Sequence, residues 1–80
     1  MADEISDLRL LTQVVAAGSL TAAAERLDSS LPAVSRRLAA LESRLGVRLI
    51  DRNARRFNLT EEGTLLHERA LRILAEVDEA

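Results

Sequence analysis

The sequence predicts a mainly α-helical domain, in which three helices and a β-hairpin precede a long last helix. Hydrophobic residues make up 48% of the chain, and nearly all of them are Leu, Ala, Val or Ile. Phe57 is the only aromatic residue. Such residues favour packed helices over a β-sandwich. About three residues separate the second and third helical segments, and the third is basic on its outer face. This arrangement is typical of a helix-turn-helix, and the hairpin makes the predicted fold a winged helix-turn-helix.

The first two helices are defined by apolar spacing and by their ends. Apolar residues at helical spacing predict a first helix from about Asp3 to Ala17. Gly18 suits the left-handed conformation just past that end. Ser19 is expected to cap a short second helix. The inward face of the second helix comprises Leu20, Ala23, Ala24 and Leu27.

The third helix is predicted over about residues 31–45 and ends at Gly46. Ser30 is a suitable N-cap, and Pro32 falls in the first turn, where its missing N–H costs nothing. The inward face comprises Val34, Leu38, Leu41 and Leu45. The residues that point elsewhere are Arg36, Arg37, Ala40 and Arg44. The basic side chains of this helix are therefore expected outside the core.

A hairpin wing is predicted over about residues 48–59. Val47 to Ile50 predicts a short strand, residues 51–56 a polar turn, and Phe57 to Leu59 a returning strand. Three cationic side chains lie at or near the tip, namely Arg52, Arg55 and Arg56.

The last helix is predicted to begin after Thr60, its N-cap, with Glu61 and Glu62 at the positive end of the helix dipole. Gly63 is a poor helix former in this first turn, which indicates close packing there. We therefore expect residues 1–59 to form the winged helix-turn-helix domain and residues 60–80 a linker helix.

The last helix carries more apolar surface than one core requires. At about 100° per residue its apolar side chains span an arc of roughly 240°, whereas one core-facing stripe needs only about 100°. The surplus predicts a homodimer that pairs through this helix. The predicted dimerisation residues are Leu66, Ala70, Ile73, Leu74 and Val77. The alternative is a helix that is buried on all sides within a larger protein.

The formal net charge of −2 conceals a basic segment. Residues 36–56 carry seven Arg against two acidic residues, whereas the segments before and after carry net charges of −3 and −4. Screening limits electrostatic interactions to roughly 8–10 Å at ordinary salt, so local charge density decides binding to phosphates. The basic segment is compatible with DNA binding, and a solvated charged surface is the alternative.

Composition argues against several other classes of protein. The chain has no Cys, which excludes a disulfide framework or a thiolate metal site, and no apolar run exceeds four residues. A membrane span needs roughly 18 apolar residues, so we expect a cytoplasmic protein. His67 is the only histidine and is interpreted as a surface or interface residue rather than a base or ligand. We expect no enzyme activity, no catalytic residues, no cofactor and no metal.

The pattern instead predicts an interface for double-stranded DNA. A major groove about 12 Å wide admits one helix, whose first turns reach the base edges. In the third helix these turns present Leu31, Pro32, Ser35 and Arg36, with Arg37 as a further candidate. Backbone phosphates are expected to contact Ser19 and Thr21. A neighbouring phosphate or the minor groove is expected to contact Arg52, Arg55 and Arg56.

Each of these side chains also has a purely structural interpretation. Arg36 can be solvated, Arg52 can pair with Asp51 or Glu42, and Pro32 can serve only to start the helix. The chain as a whole can also be a winged-helix module that binds an acidic protein partner. Salt dependence separates these functions, because each phosphate neutralised adds about −0.9 to the log–log slope of DNA affinity against salt. Arg55→Ala should flatten that slope by about one unit.

Several ordered blocks of residues carry a family resemblance. They are residues 23–27, 30–36, Leu41-Glu42, Leu45-Gly46, residues 49–52 and residues 59–63. With these gaps the chain resembles the N-terminal domain of LysR-type transcriptional regulators of bacteria, from about Leu8 to its end. The resemblance implies a linker helix that pairs two subunits and binding to inverted-repeat promoter sites on the chromosome, in the nucleoid. The DNA-contacting positions it implies are Leu31, Pro32, Ser35, Arg36, Arg52 and Arg55.

The sequence departs from the family pattern at three positions. At the position of Leu31 the family usually has Gln, and at that of Arg37 it commonly has Gln. At the position of Ile50 the family has Phe. Gln can bond an adenine edge, whereas Leu31 offers only apolar contact, which suits a thymine methyl. We therefore expect Leu31 to contact a thymine methyl or to leave that base unread. The family's larger C-terminal domain, which binds a small-molecule inducer, is not among these residues.

Overall fold

In the computed structural model, residues 4–53 and 56–80 are described. Within them the chain forms four helices, α1 (Glu4–Ala17), α2 (Leu20–Arg26), α3 (Leu31–Leu45) and α4 (Glu61–Glu79). The mainly helical fold class is confirmed, and α3 has the predicted bounds. The predicted start of the first helix at Asp3 lies outside the described residues.

Three hydroxyl side chains cap the helices as the sequence predicts. The Ser19 hydroxyl accepts a hydrogen bond from Ala22 N at 3.0 Å, and the Ser30 hydroxyl accepts one from Ala33 N at 3.2 Å. Thr60 caps α4 by accepting from Gly63 N at 3.0 Å. Each bond satisfies an amide that the helix leaves unpaired, and such a cap typically contributes about 1 kcal/mol. The caps therefore fix where α2, α3 and α4 begin.

Glycine ends two of the helices, again as predicted. Gly18 follows α1 with φ +83°, and Gly46 follows α3 with φ +72°. At this positive φ a side chain would be strained, which favours glycine. The Gly46 amide donates to the Glu42 carbonyl at 2.8 Å and so closes the last turn of α3.

The core of the described residues includes two adjoining clusters. The first joins α1, α2 and α3 and comprises Leu10, Val14, Ala23, Ala24 and Val34. The second joins α3 to the segment after it and comprises Leu38, Leu41, Leu49 and Ile50. Phe57 packs against both clusters, and Leu66 of α4 packs against the second. The single aromatic side chain thus connects the helix-turn-helix to the polypeptide that follows α3.

The segment after α3, residues 47–53, is called the arm below. The predicted strands reduce to one antiparallel bridge between Ile50 and Leu59 in the part of the chain that is described. Asp51 N donates to Asn58 O at 2.9 Å, and Thr60 N donates to Leu49 O at 3.0 Å. The Leu49 amide, which a longer ladder would direct to Thr60 O, bonds the Glu42 side chain instead and so limits the pairing. The Ile50 amide faces away from Leu59 in this bridge and also bonds Glu42. The full wing stays a prediction, and Arg55 at its tip lies outside the described residues.

The first turn of α4 lies directly on the arm. A Cβ atom built at Gly63 would lie 2.1 Å from the Leu49 carbonyl oxygen. Since that oxygen also accepts from Thr60 N, the helix start and the arm are held at one place. The close packing that the sequence predicts at Gly63 is confirmed.

Candidate nucleic-acid interface

The outer face of α3 is defined here as residues 32, 36, 39 and 43, which lie within about 60° of one another at 100° per residue. Pro32, Arg36, Ala39 and Ser43 are all exposed. Leu31 lies beside this face with 43% of its surface accessible, and Ser35 is half-buried. Beyond Arg36 the face carries only small side chains. The helix backbone is therefore free to approach a flat or grooved partner closely.

The arginines of α3 are divided between two faces. Arg37 Nη2 donates to Ser6 Oγ at 3.0 Å, and Arg44 pairs with Asp7 at 3.0 Å. Both guanidinium groups therefore lie over α1 and hold α3 against it. Arg36 makes no hydrogen bond or ion pair with residues 4–53 or 56–80. Both interface positions stay predictions: Arg36 is unpaired within these ranges, whereas Arg37 is exposed but also bonds Ser6 of α1.

Arg52 of the arm is paired within the chain. Its Nη2 donates to Glu42 Oε1 at 2.7 Å, while the side chain stays 40% exposed. Glu42 is one of the two acidic partners that the sequence analysis named for Arg52. Arg52 can bond Glu42 and DNA together only if its remaining N–H groups reach a phosphate. Arg56 is exposed.

Arg48 is a cationic residue that the sequence analysis did not assign to the interface. It is exposed and borders a groove that also contains Ala39 and Ser43 of the outer face of α3. On its other side it borders a second groove, lined by Arg52 and Asn53. The signal that was missed is its charge and its place in the basic segment of residues 36–56, four positions before Arg52.

The two residues of the α2 region that are predicted to contact DNA differ in how accessible they are. Ser19 is half-buried, and its oxygen accepts the capping bond from Ala22 N. Its hydroxyl hydrogen is still free to be donated. Thr21, in the first turn of α2, is exposed.

The predicted dimerisation residues are divided by the packing of α4 on α1. Ala70 and Leu74 are 0% and 7% exposed, so their assignment to an intersubunit contact is wrong. Leu66 is half-buried against the second core cluster. Ile73 and Val77 remain exposed, as do Leu65 and Leu71, which the prediction did not include.

An ion pair also joins the middle of α1 to the C-terminal end of α4. Arg9 Nη2 donates to Asp78 Oδ1 at 2.8 Å. This hydrogen bond, reinforced by the charge of Arg9, holds the pKa of the Asp78 carboxyl below its ordinary value. Both side chains are largely solvent-exposed, so the pair orients α4 rather than stabilising it strongly.

Residues 4–53 and 56–80 contain no group of three or more His, Cys, Asp or Glu side chains placed to hold a metal ion. His67 is half-buried on α4. Within the same ranges, no helix has both the length and the apolar character to cross a membrane.

These features define the class of the protein. The short turn between α2 and α3, the capped start of α3 and its exposed outer face form a helix-turn-helix module, with the bridged arm behind it. A family model described as bacterial regulatory helix-turn-helix protein, lysR family, matches residues 5–64. The chain belongs to this family.

Known proteins agree with this membership. An HTH-type transcriptional regulator of Xanthomonas campestris pv. campestris (strain 8004) is 42% identical over 80 residues, covering 100% of this chain and 23% of the relative. CrgA, an HTH-type transcriptional regulator of Neisseria meningitidis serogroup B (strain ATCC BAA-335 / MC58), is 46% identical over 71 residues, covering 89% of this chain and 24% of CrgA. The chain thus spans about a quarter of the length of these two relatives.

Solved structures agree as well. The complex of the BenM DNA-binding domain with benA site 1 DNA superposes with a TM-score of 0.91 at 35% identity, covering 96% of this chain and 86% of that one. BenM is a regulator of Acinetobacter baylyi (strain ATCC 33305 / BD413 / ADP1). CbnR, a LysR family transcriptional regulator, superposes with a TM-score of 0.85 at 39% identity, covering 96% of this chain and 27% of CbnR.

Proposed function

We propose that this chain is the sequence-specific, double-stranded-DNA-binding domain of a bacterial LysR-type transcription regulator. The observation that carries the proposal is the outer face of α3. There Arg36 is exposed and unpaired within residues 4–53 and 56–80, whereas its neighbour Arg37 is bound to Ser6 of α1. A cation that the fold leaves unpaired on a protruding helix suits a partner that brings negative charge.

In this proposal α3 lies in the major groove. Arg36 donates to a guanine edge or to a phosphate, and Ser35 bonds either a base or the backbone. Leu31 and Pro32 contact bases through apolar surface. Ala39 and Ser43 are small, so the second half of α3 can approach the floor of the groove.

Phosphate contacts flank the helix on both sides. Ser19 and Thr21 bond the backbone from α2, while Arg48 and Arg52 bond it from the arm. Arg55 and Arg56 extend the cationic surface towards the next phosphate or the minor groove. Contacts of this kind set register and affinity, and the base contacts of α3 set sequence preference.

The module acts by binding DNA, without enzyme activity or cofactor. It belongs to a cytoplasmic regulator that acts on chromosomal DNA in the nucleoid. Two copies pair through the exposed side of α4 that carries Ile73 and Val77, and the homodimer binds an inverted repeat. The whole regulator responds to a small-molecule inducer through a C-terminal domain beyond these residues. Both α4 pairing and induction are proposals for the longer protein.

Selection from a random-sequence DNA pool tests the proposal, followed by affinity measurements of the selected duplex at increasing salt. We expect an enriched inverted repeat, and a log–log salt slope of about −0.9 per phosphate contacted. Arg55→Ala should flatten that slope by about one unit. Equal affinity for a scrambled duplex would contradict sequence-specific binding. Failure to bind any duplex, together with salt-sensitive binding to an acidic protein, would identify the module as a protein-interaction domain.

A further inference from the structure

A buried carboxylate connects α3 to the arm. Glu42 is 6% exposed, and both of its oxygens are used. Oε2 accepts from Leu49 N at 2.7 Å and from Ile50 N at 3.2 Å. Oε1 accepts from Arg52 Nη2 at 2.7 Å. One side chain on the helix therefore binds the arm at three points.

This carboxylate is an unexpected residue beside a DNA-facing surface. A buried carboxylate is costly unless it is hydrogen-bonded or paired, and its negative charge repels phosphates. The two arm amides and the Arg52 guanidinium satisfy it here with charge-assisted bonds. Stability requires an acceptor for the two arm amides, but not a charge, because a neutral amide oxygen could accept the same bonds. The orientation of Arg52 is what the charge adds.

We propose that Glu42 is a positioning residue for DNA binding, which holds the Arg52 guanidinium by one edge so that its other N–H groups meet a backbone phosphate. This inference rests on the proposed DNA-binding function. A guanidinium has five N–H donors in a rigid planar fork, and Arg52 remains 40% exposed after the bond to Glu42. It can therefore bond two anions at once.

The surroundings of Arg52 support a phosphate as the second anion. Arg52 lines the same groove as Arg48, and Arg48 also borders the groove beside Ala39 and Ser43 on the outer face of α3. A duplex docked on that face would bring its backbone to these two cations. By fixing one edge of the guanidinium before DNA arrives, Glu42 reduces the side-chain entropy lost on binding.

Glu42→Gln separates positioning from simple charge. The amide oxygen can still accept from Leu49 N and Ile50 N, but the amide nitrogen then faces Arg52 and cannot accept. Loss of one negative charge would by itself strengthen DNA binding. Positioning instead predicts weaker binding, by about tenfold for one charge-assisted contact, and a salt slope flatter by about one phosphate. Glu68→Gln, on the exposed surface of α4, removes the same charge without touching Arg52 and should not weaken binding.

A double-mutant cycle shows whether Glu42 acts through Arg52. The probe is a duplex isolated by the wild-type chain from a random-sequence pool. In an Arg52→Ala background we expect Glu42→Gln to leave affinity unchanged or slightly raised, because the group it positions is gone. A loss of the same size in both backgrounds would overturn the proposal and make Glu42 a purely structural residue. Tightened binding by Glu42→Gln alone would overturn it too.

Arg52→Lys keeps the test decisive if Glu42→Gln does not fold. Lysine retains the charge but lacks the planar fork, so we expect it to lose most of the affinity that Arg52→Ala loses. Wild-type affinity in Arg52→Lys would refute two-sided bonding. Absence of DNA binding by the wild-type chain would instead reject the proposed function, and the two failures are thereby distinguished.

Discussion

The junction of α3, the arm and α4 contrasts with the outer face of α3. At the junction, Glu42 binds three donors of the arm, and Gly63 leaves no space over the Leu49 carbonyl. On the outer face, Arg36 is exposed and the side chains that follow it are small. The first region satisfies its polar groups within the chain, whereas the second leaves them for a partner.

The contrast teaches how one basic segment serves two purposes. Residues 36–56 carry seven Arg, yet Arg37, Arg44 and Arg52 bind groups of the chain itself. Arg36 and Arg48 project from it. A local excess of charge therefore overstates the number of free cations, and packing decides which of them meet DNA.

Gly63→Ala should give the largest effect, on stability. The new Cβ would overlap the Leu49 carbonyl oxygen, a backbone atom that Thr60 N also fixes. Overpacking of this severity costs about 3 kcal/mol or more, well above the roughly 1 kcal/mol that Ala gains over Gly in a helix. Thermal or urea unfolding measures the loss. Gly46→Ala is the control, since it meets open space and costs only the positive φ, about 1–2 kcal/mol. Equal losses in the two variants would show that the junction tolerates movement.

Ile73→Asp should break the proposed homodimer without unfolding the chain. Ile73 is exposed within one subunit, so burial of a carboxylate in a contact there should cost about 2 kcal/mol or more of dimer stability. Sedimentation measures the shift to monomer, and circular dichroism checks that the helices persist. Leu71→Asp is the matched control, because Leu71 is also exposed but lies roughly 160° away around α4. Dissociation by Leu71→Asp alone would place the dimer contact on the other side.

Local features of the fold were predictable, and long-range ones were not. The caps at Ser19, Ser30 and Thr60 depend on residues three positions away, which the sequence displays directly. The burial of Ala70 and Leu74 depends on which side of α4 meets α1, and periodicity alone does not choose between two apolar sides. Hydrogen bonds and ion pairs between side chains that are far apart in the sequence leave no pattern in the local sequence.

The candidate site follows the same rule. Arg36 was predicted from its place in the first turns of α3, which fixes its direction. The bond of Arg37 to Ser6 gave no local signal, because the two residues lie 31 positions apart. The short pairing after α3 was not predicted, because Glu42 takes the Leu49 amide that a longer ladder would direct to Thr60 O.

Arg36→Ala should separate binding from stability. We expect DNA affinity to fall by about 1.5 kcal/mol, or roughly tenfold, with no change in unfolding temperature, because no group in residues 4–53 or 56–80 bonds this guanidinium. Arg44→Ala is the counterpart on the same helix. It removes the pairs with Asp7 and Glu4, so it should lower stability by up to about 1 kcal/mol and affect DNA affinity less. If Arg44→Ala weakened DNA binding more than Arg36→Ala, the assignment of the two faces would be reversed.

Replacement of operator thymines by uracil should give the smallest effect and the finest test of the outer face. Leu31 is 43% exposed at the start of α3, where a thymine methyl is the base feature that an aliphatic side chain can recognise. Loss of one buried methyl costs about 0.8 kcal/mol, or roughly fourfold in affinity. The reduction should vanish in Leu31→Ala, which has no side chain to meet the methyl. Unchanged affinity of the wild-type chain for the uracil duplex would mean that Leu31 leaves its base unread. An equal reduction in Leu31→Ala would assign the methyl contact to another residue of α3.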